Sequence, residues 1–236
     1  MIDSVRDNET SNVVPHMVPV LLEILRSGEP SFQRDSLEFS FRRVLLEILH
    51  RIPAADLHRS QPLSIYVTML YLIRRDNEEI AMTCCKIIVD ITRIHRGFTE
   101  EHINEFMSIL LELCHNIPSL VEECFSEHSA ILDPATLFPG TRSFKVVAEM
   151  VHVIVAFTQS NRPLVLPMIQ QHVPTFLAVL HLEAPAQKKA REEYEASGHL
   201  WAGMAPTIRN PGPYTDFLTS VVKVCFSHTS LEIIDL

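Results

Sequence analysis

Phe41-Arg42-Arg43-Val44-Leu45-Leu46-Glu47-Ile48-Leu49-His50-Arg51-Ile52-Pro53 carries apolar residues at i, i+3, i+4, i+7, i+8 and i+11, and then stops at a proline. That spacing predicts an amphipathic helix with a defined end, its stripe running from Phe41 through Val44, Leu45, Ile48 and Leu49 to Ile52. The basic pair Arg42-Arg43 has acidic neighbours on the same helix, and such a cluster reads as a solvated face.

Segments of the same kind flank it. Upstream, Val18-Pro19-Val20-Leu21-Leu22-Glu23-Ile24-Leu25 reads as a helix with its proline in the first turn, ended by Gly28 and Pro30. Downstream of Pro53 comes a polar turn, and Pro62 opens a helix with Ile65, Met69, Leu72 and Ile73 on one face. Asp76-Asn77-Glu78-Glu79 then supplies a cap and acidic first-turn residues for a helix carrying Ile80, Cys84, Ile87, Ile88 and Ile91. Thr99 caps the next, with Ile103, Phe106, Met107, Leu110 and Cys114 on its stripe, and Pro118 opens a short sixth helix. Phe138-Pro139-Gly140 marks a loop. A seventh helix is expected from about Ser143, and an eighth from Asn161 and Pro163 to about Leu182, with a kink at Pro174.

The expected organisation is a disordered N-terminus over 1–12, helical repeats over 13–127, a loop over 128–142 and a helix pair over 143–182. A partly flexible linker over 183–213 and a terminal helix with a tail over 214–236 complete it. No Asn-Gly or Asp-Gly turn and no alternating run signals a strand, so the fold class is all-α. Val18-Pro19 and Val173-Pro174 open two similar octets, and their separation divides into four units of about 39 residues, near the period of two-helix HEAT-type repeats. The predicted architecture is an α-solenoid of antiparallel helix pairs, each pair covering the apolar stripe of the next. An uncapped array of this kind exposes apolar flanks, which predicts self-association of the isolated chain.

Among 236 residues, 47% are hydrophobic and 21% charged, enough apolar surface for an ordered core. A net charge of −9 repels phosphate backbones, so direct nucleic-acid binding is not expected. Five cysteines without C-x-x-C spacing, and an opening without a signal peptide, fit a reducing compartment. Val146–Phe157, interrupted by Glu149 and His152, is too short to span a membrane, which needs about 20 residues.

No catalytic constellation emerges. Six glycines allow neither a phosphate-cradling loop nor a dinucleotide fingerprint, and neither G-x-S-x-G nor H-E-x-x-H occurs. Cys114-His115 with Cys124 and His128 has metal-ligand types at the wrong spacing, and the two cysteines fall on apolar stripes, where they act as small hydrophobes. Cys84-Cys85 reads as one buried thiol and one at the flank. His152, set among apolar residues, is expected to be partly buried. Asn8-Glu9-Thr10 is a glycosylation sequon that matters only in a secreted protein. Trp201 and Tyr214 are candidate anchors, either for a bound peptide or for the linker itself. Neither an enzyme nor a cofactor or metal protein is expected.

Three segments carry a family resemblance: Val44–Pro53, the Asp76-Asn77-Glu78-Glu79 turn, and Ser143-Phe144-Lys145-Val146-Val147-Ala148-Glu149, with Tyr214-x-Asp216-Phe217 fitting the same order. Together they resemble the N-terminal helical region of the transformation/transcription domain-associated protein (TRRAP) family. The resemblance implies a piece of a HEAT-repeat scaffold related to the phosphatidylinositol-3-kinase-like kinases but catalytically dead. It further implies a nuclear protein whose partners are subunits of histone acetyltransferase coactivator complexes and transcriptional activators. The long remaining array, the FAT region and the kinase-like domain have no counterpart here, so a fragment or truncated gene product is expected. The alternative is an independent HEAT-type adaptor or transport factor that binds peptides in a concave groove.

Overall fold

The computed structural model describes residues 2–125 and 135–180, with single positions at 192 and 196. The linker and terminal helix expected beyond Leu182 lie outside these residues, as do Trp201, Tyr214 and His128. Side chains are described from Val13 onward.

Among the described residues, seven α-helices follow in order: α1 (Ile2–Ser27), α2 (Leu37–Arg51), α3 (Ala54–Arg59), α4 (Pro62–Arg75), α5 (Glu78–Ile94), α6 (Glu100–Phe125) and α7 (Phe144–Leu180). No strand is present among the described residues; two isolated β-bridges, Gln33 with Thr136 and Asn77 with Pro139, are the only sheet-like pairings. The fold class is all-α. Helix α5 is central, packed against α2, α4 and α7, while α6 lies along α7 and α1 against α2, α3 and α4. One contiguous apolar core runs from Val14 on α1 to Val179 on α7.

Helix ends follow local chemistry. The Ser36 hydroxyl accepts from the Phe39 N–H at 3.1 Å and caps α2, with His50 and Arg51 in its last turn. The Asn77 side chain accepts from the N–H groups of Glu79 and Ile80, both at 3.1 Å, and caps α5. Pro62 opens α4 after Gln61, which sits in the left-handed region with φ of 59°.

Proline behaves differently from expectation. The sequence pattern puts Pro19 in a first turn and Pro118 at a break, yet α1 runs through Pro15 and Pro19 and α6 runs through Pro118. Helix α7 likewise runs through Pro167 and through Pro174, where the pattern predicts a kink, while Pro163 opens its second half as expected. All six of these prolines are exposed. On the outer side of a helix, water satisfies the carbonyl that a proline leaves without a donor, so packing of the inner stripe carries the helix past it. The one break is at Asn161 (φ −147°, ψ 60°), where two expected helices meet as the halves of α7.

Two more differences are local. Helix α1 begins at Ile2, within the stretch expected to fray, because adding a turn to a nucleated helix costs little. The polar turn after Pro53 is the short helix α3, held by Leu57, which is fully buried.

Candidate interaction surface

Helix α2 has two working faces, and they are not the ones its hydropathy suggests. Phe39, Arg42, Leu45, Leu46 and Leu49 are buried. Leu37, Phe41, Val44 and Ile48 are exposed by 83, 55, 50 and 39%. The apolar stripe that defined the helix thus splits, and Arg42 goes inside at 4% exposure, a correction to its reading as part of a solvated face. Arg43 stays outside, over the Phe39 ring.

Arg42 is buried because every direction it points offers an acceptor. Its Nε donates to Asp76 Oδ2 at 3.0 Å and its Nη2 to the same oxygen, while Nη1 donates to the carbonyls of Leu25 (3.1 Å) and Gly28 (3.0 Å). The guanidinium therefore closes the C-terminal end of α1 and the α4–α5 turn at once. Asp76 is 1% exposed, and burial pushes its carboxyl above the ordinary value although Arg42 pulls the other way.

The same turn gathers the segment before α7. Glu78 N–H donates to the Phe138 carbonyl and Gly140 N–H to the Asp76 carbonyl, both at 2.8 Å. Gly140 admits no side chain, since a Cβ there would lie 2.7 Å from the Ile73 carbonyl and 2.8 Å from the Ala81 Cβ. Glu78 then takes the Ser143 hydroxyl at 2.6 Å and the Lys145 ammonium at 2.9 Å. Asn77 Nδ2 donates to the Ser31 carbonyl at 2.7 Å, which ties in the α1–α2 connection. Local pattern marks the turn as a cap but not as a junction, because the partners lie 34 to 67 residues away along the chain.

The remaining candidates resolve as follows. Cys114 is buried, its thiol pushed up to about 12 by desolvation, and it lines an open apolar groove of about 440 Å³ with His115, Pro118, Pro174, Thr175, Ala178 and Val179. The side chain of Cys124 lies outside the described residues. No cluster of three His, Cys, Asp or Glu side chains is placed to hold a metal among the described residues. Cys84 and Cys85 are both fully buried, correcting the expectation of one at the flank, and burial raises both thiols. Adjacent residues on a helix differ by about 100°, and α5 is covered on several sides by α2, α4 and α7, so both fall within its covered arc. His152 is exposed, with Nδ1 3.4 Å from Glu149 Oε2, which corrects its expected burial. Among the described residues no helix is long and apolar enough to cross a membrane.

The chain is similar over most of its length to much larger proteins. It is 24% identical over 94% of its residues to the SAGA complex/NuA4 acetyltransferase complex subunit Tra1 of Schizosaccharomyces pombe. It is 21% identical over 90% to the transformation/transcription domain-associated protein of Homo sapiens. It is 32% identical over 53% to a probable transcription-associated protein 1 of Dictyostelium discoideum. These similarities support a relationship to the TRRAP family. It spans 7, 6 and 3% of the length of those three TRRAP-family relatives, respectively. No family model matches it.

Proposed function

We propose that the chain works without catalysis, as a scaffold segment of a TRRAP-like subunit, through protein–protein contacts in nuclear histone acetyltransferase coactivator complexes. The observation that supports this most is the similarity over 94% of the chain to a subunit of the SAGA and NuA4 acetyltransferase complexes. The stacked helices fit the role: in a HEAT-type solenoid each helix pair buries its stripe on the next, and outer faces are left to bind partners. The transcriptional activators that dock on such scaffolds are proposed as further partners. The test is affinity purification of the tagged chain from its own cells, with mass spectrometry and a histone acetylation assay of the eluate. Acetyltransferase subunits with histone-directed activity support the proposal; their absence at normal expression defeats it.

A second reading, an independent adaptor that takes a peptide in a groove, is favoured by the apolar opening between α6 and α7 lined by Cys114, Pro118, Pro174 and Val179. That reading predicts transport cargo in the same eluate.

A further inference from the structure

The outer stripe of α2 has a symmetry of its own. Leu37, Phe41, Val44 and Ile48 are separated by four, three and four residues, so the stripe reads the same in both directions about a point between Arg42 and Arg43. At 3.6 residues per turn these four side chains form one narrow line, about 130° around the helix from the buried face. A line of alternating four and three spacing is the seam that a second helix fills by knobs-into-holes packing.

We infer that this face is a two-fold self-association surface, on which α2 of a second copy of the chain lies antiparallel. Leu37 then meets Ile48 of the other copy, and Phe41 meets Val44. A two-fold interface requires a self-complementary patch, and a palindromic stripe is one. Charge permits the pairing despite the net −9. Helix α2 itself carries Glu38 and Glu47 against Arg42, Arg43 and Arg51, and Glu47 is already paired with Arg51. Glu38 and Glu47 fall on opposite flanks of the stripe, so the two-fold sets neither carboxylate against the other. Four such side chains present on the order of 400 Å², a large patch for a monomer but short of the roughly 800 Å² per partner of a standard interface. The dimer is therefore weak, forming as concentration rises.

Sedimentation velocity of the full chain over a concentration series tests this. A monomer–dimer equilibrium is expected, with Phe41→Glu weakening it about a hundredfold, since symmetry places the substitution in the contact twice. Phe41 is more than half exposed, so the variant should keep its helical circular dichroism. Val67→Glu, at an exposed apolar position on α4, should leave the equilibrium unchanged. Oxidation of a Phe41→Cys/Val44→Cys double variant should give a reducible covalent dimer, and Phe41→Cys alone much less. A chain monomeric throughout the series, or a dimer indifferent to Phe41→Glu, overturns the inference. Its fate is separate from that of the scaffold proposal, which the eluate of the tagged chain decides.

Discussion

The inner and outer faces of α2 invert the usual assignment of polarity. Inside lies an arginine, 4% exposed; outside lies a leucine, 83% exposed. The inner face tolerates a charge because Asp76 and two carbonyls at the end of α1 satisfy the guanidinium. Had those acceptors been missing, desolvation alone would have driven Arg42 out. The outer face keeps its apolar residues because nothing in the described structure covers them. Burial in this helix is thus decided by which neighbours exist, and only secondarily by hydropathy.

The strongest way to break the comparison is at Asp76. Asp76→Ala strands the Arg42 charge in the interior and should cost about 3–5 kcal/mol of unfolding free energy in urea. Combining it with Arg42→Met should lose clearly less than Asp76→Ala alone. A double variant no better than the single one would mean that the ion pair does not organise the junction.

Truncation of each face comes next. Leu46→Ala, at a fully buried position, should cost about 2–5 kcal/mol, whereas Val44→Ala on the outer line should stay within about 0.5 kcal/mol in dilute samples. Equal losses in matched denaturation curves would show that the two faces are not distinct.

A smaller effect is expected at the cap that anchors the junction. Asn77→Ala removes the acceptor for two N–H groups of α5 and should lower stability by about 1–2 kcal/mol. A loss below half of this in thermal melts would assign the turn's geometry to Asp76 and Glu78 instead.

Chemical access gives the finest contrast. Native Cys84 and Cys85 should resist alkylation until the chain unfolds, since burial both shields the thiols and disfavours their thiolates. A cysteine introduced as Val44→Cys should react at once. Peptide mass spectrometry after brief labelling reads the three positions together, and prompt labelling of Cys85 would contradict its burial.

Much of this molecule is legible along the chain. The periodic stripes located α2, α4 and α5, Asn77 announced its cap, and Asn161 marked the break in α7. These rest on contacts within four residues, where spacing and side-chain chemistry act directly. The interaction surface was less legible. Local pattern makes Arg42 a solvated residue, Cys85 a flanking one and His152 a partly buried one, and all three differ in the structure because burial of a single side chain depends on what the other helices bring to it.

Sequence by itself determined that the chain is helical, where most helices stop and that one core joins them, since hydrogen bonding and amphipathic spacing are local properties. Tertiary structure alone decided which of two apolar lines on α2 went inward, that five outward-facing prolines leave their helices unbroken, and that the Asp76–Glu78 turn draws together groups 34 to 67 residues apart. The physical reason is that satisfying a buried charge or covering a stripe requires atoms supplied by another element, and their arrival is an outcome of packing.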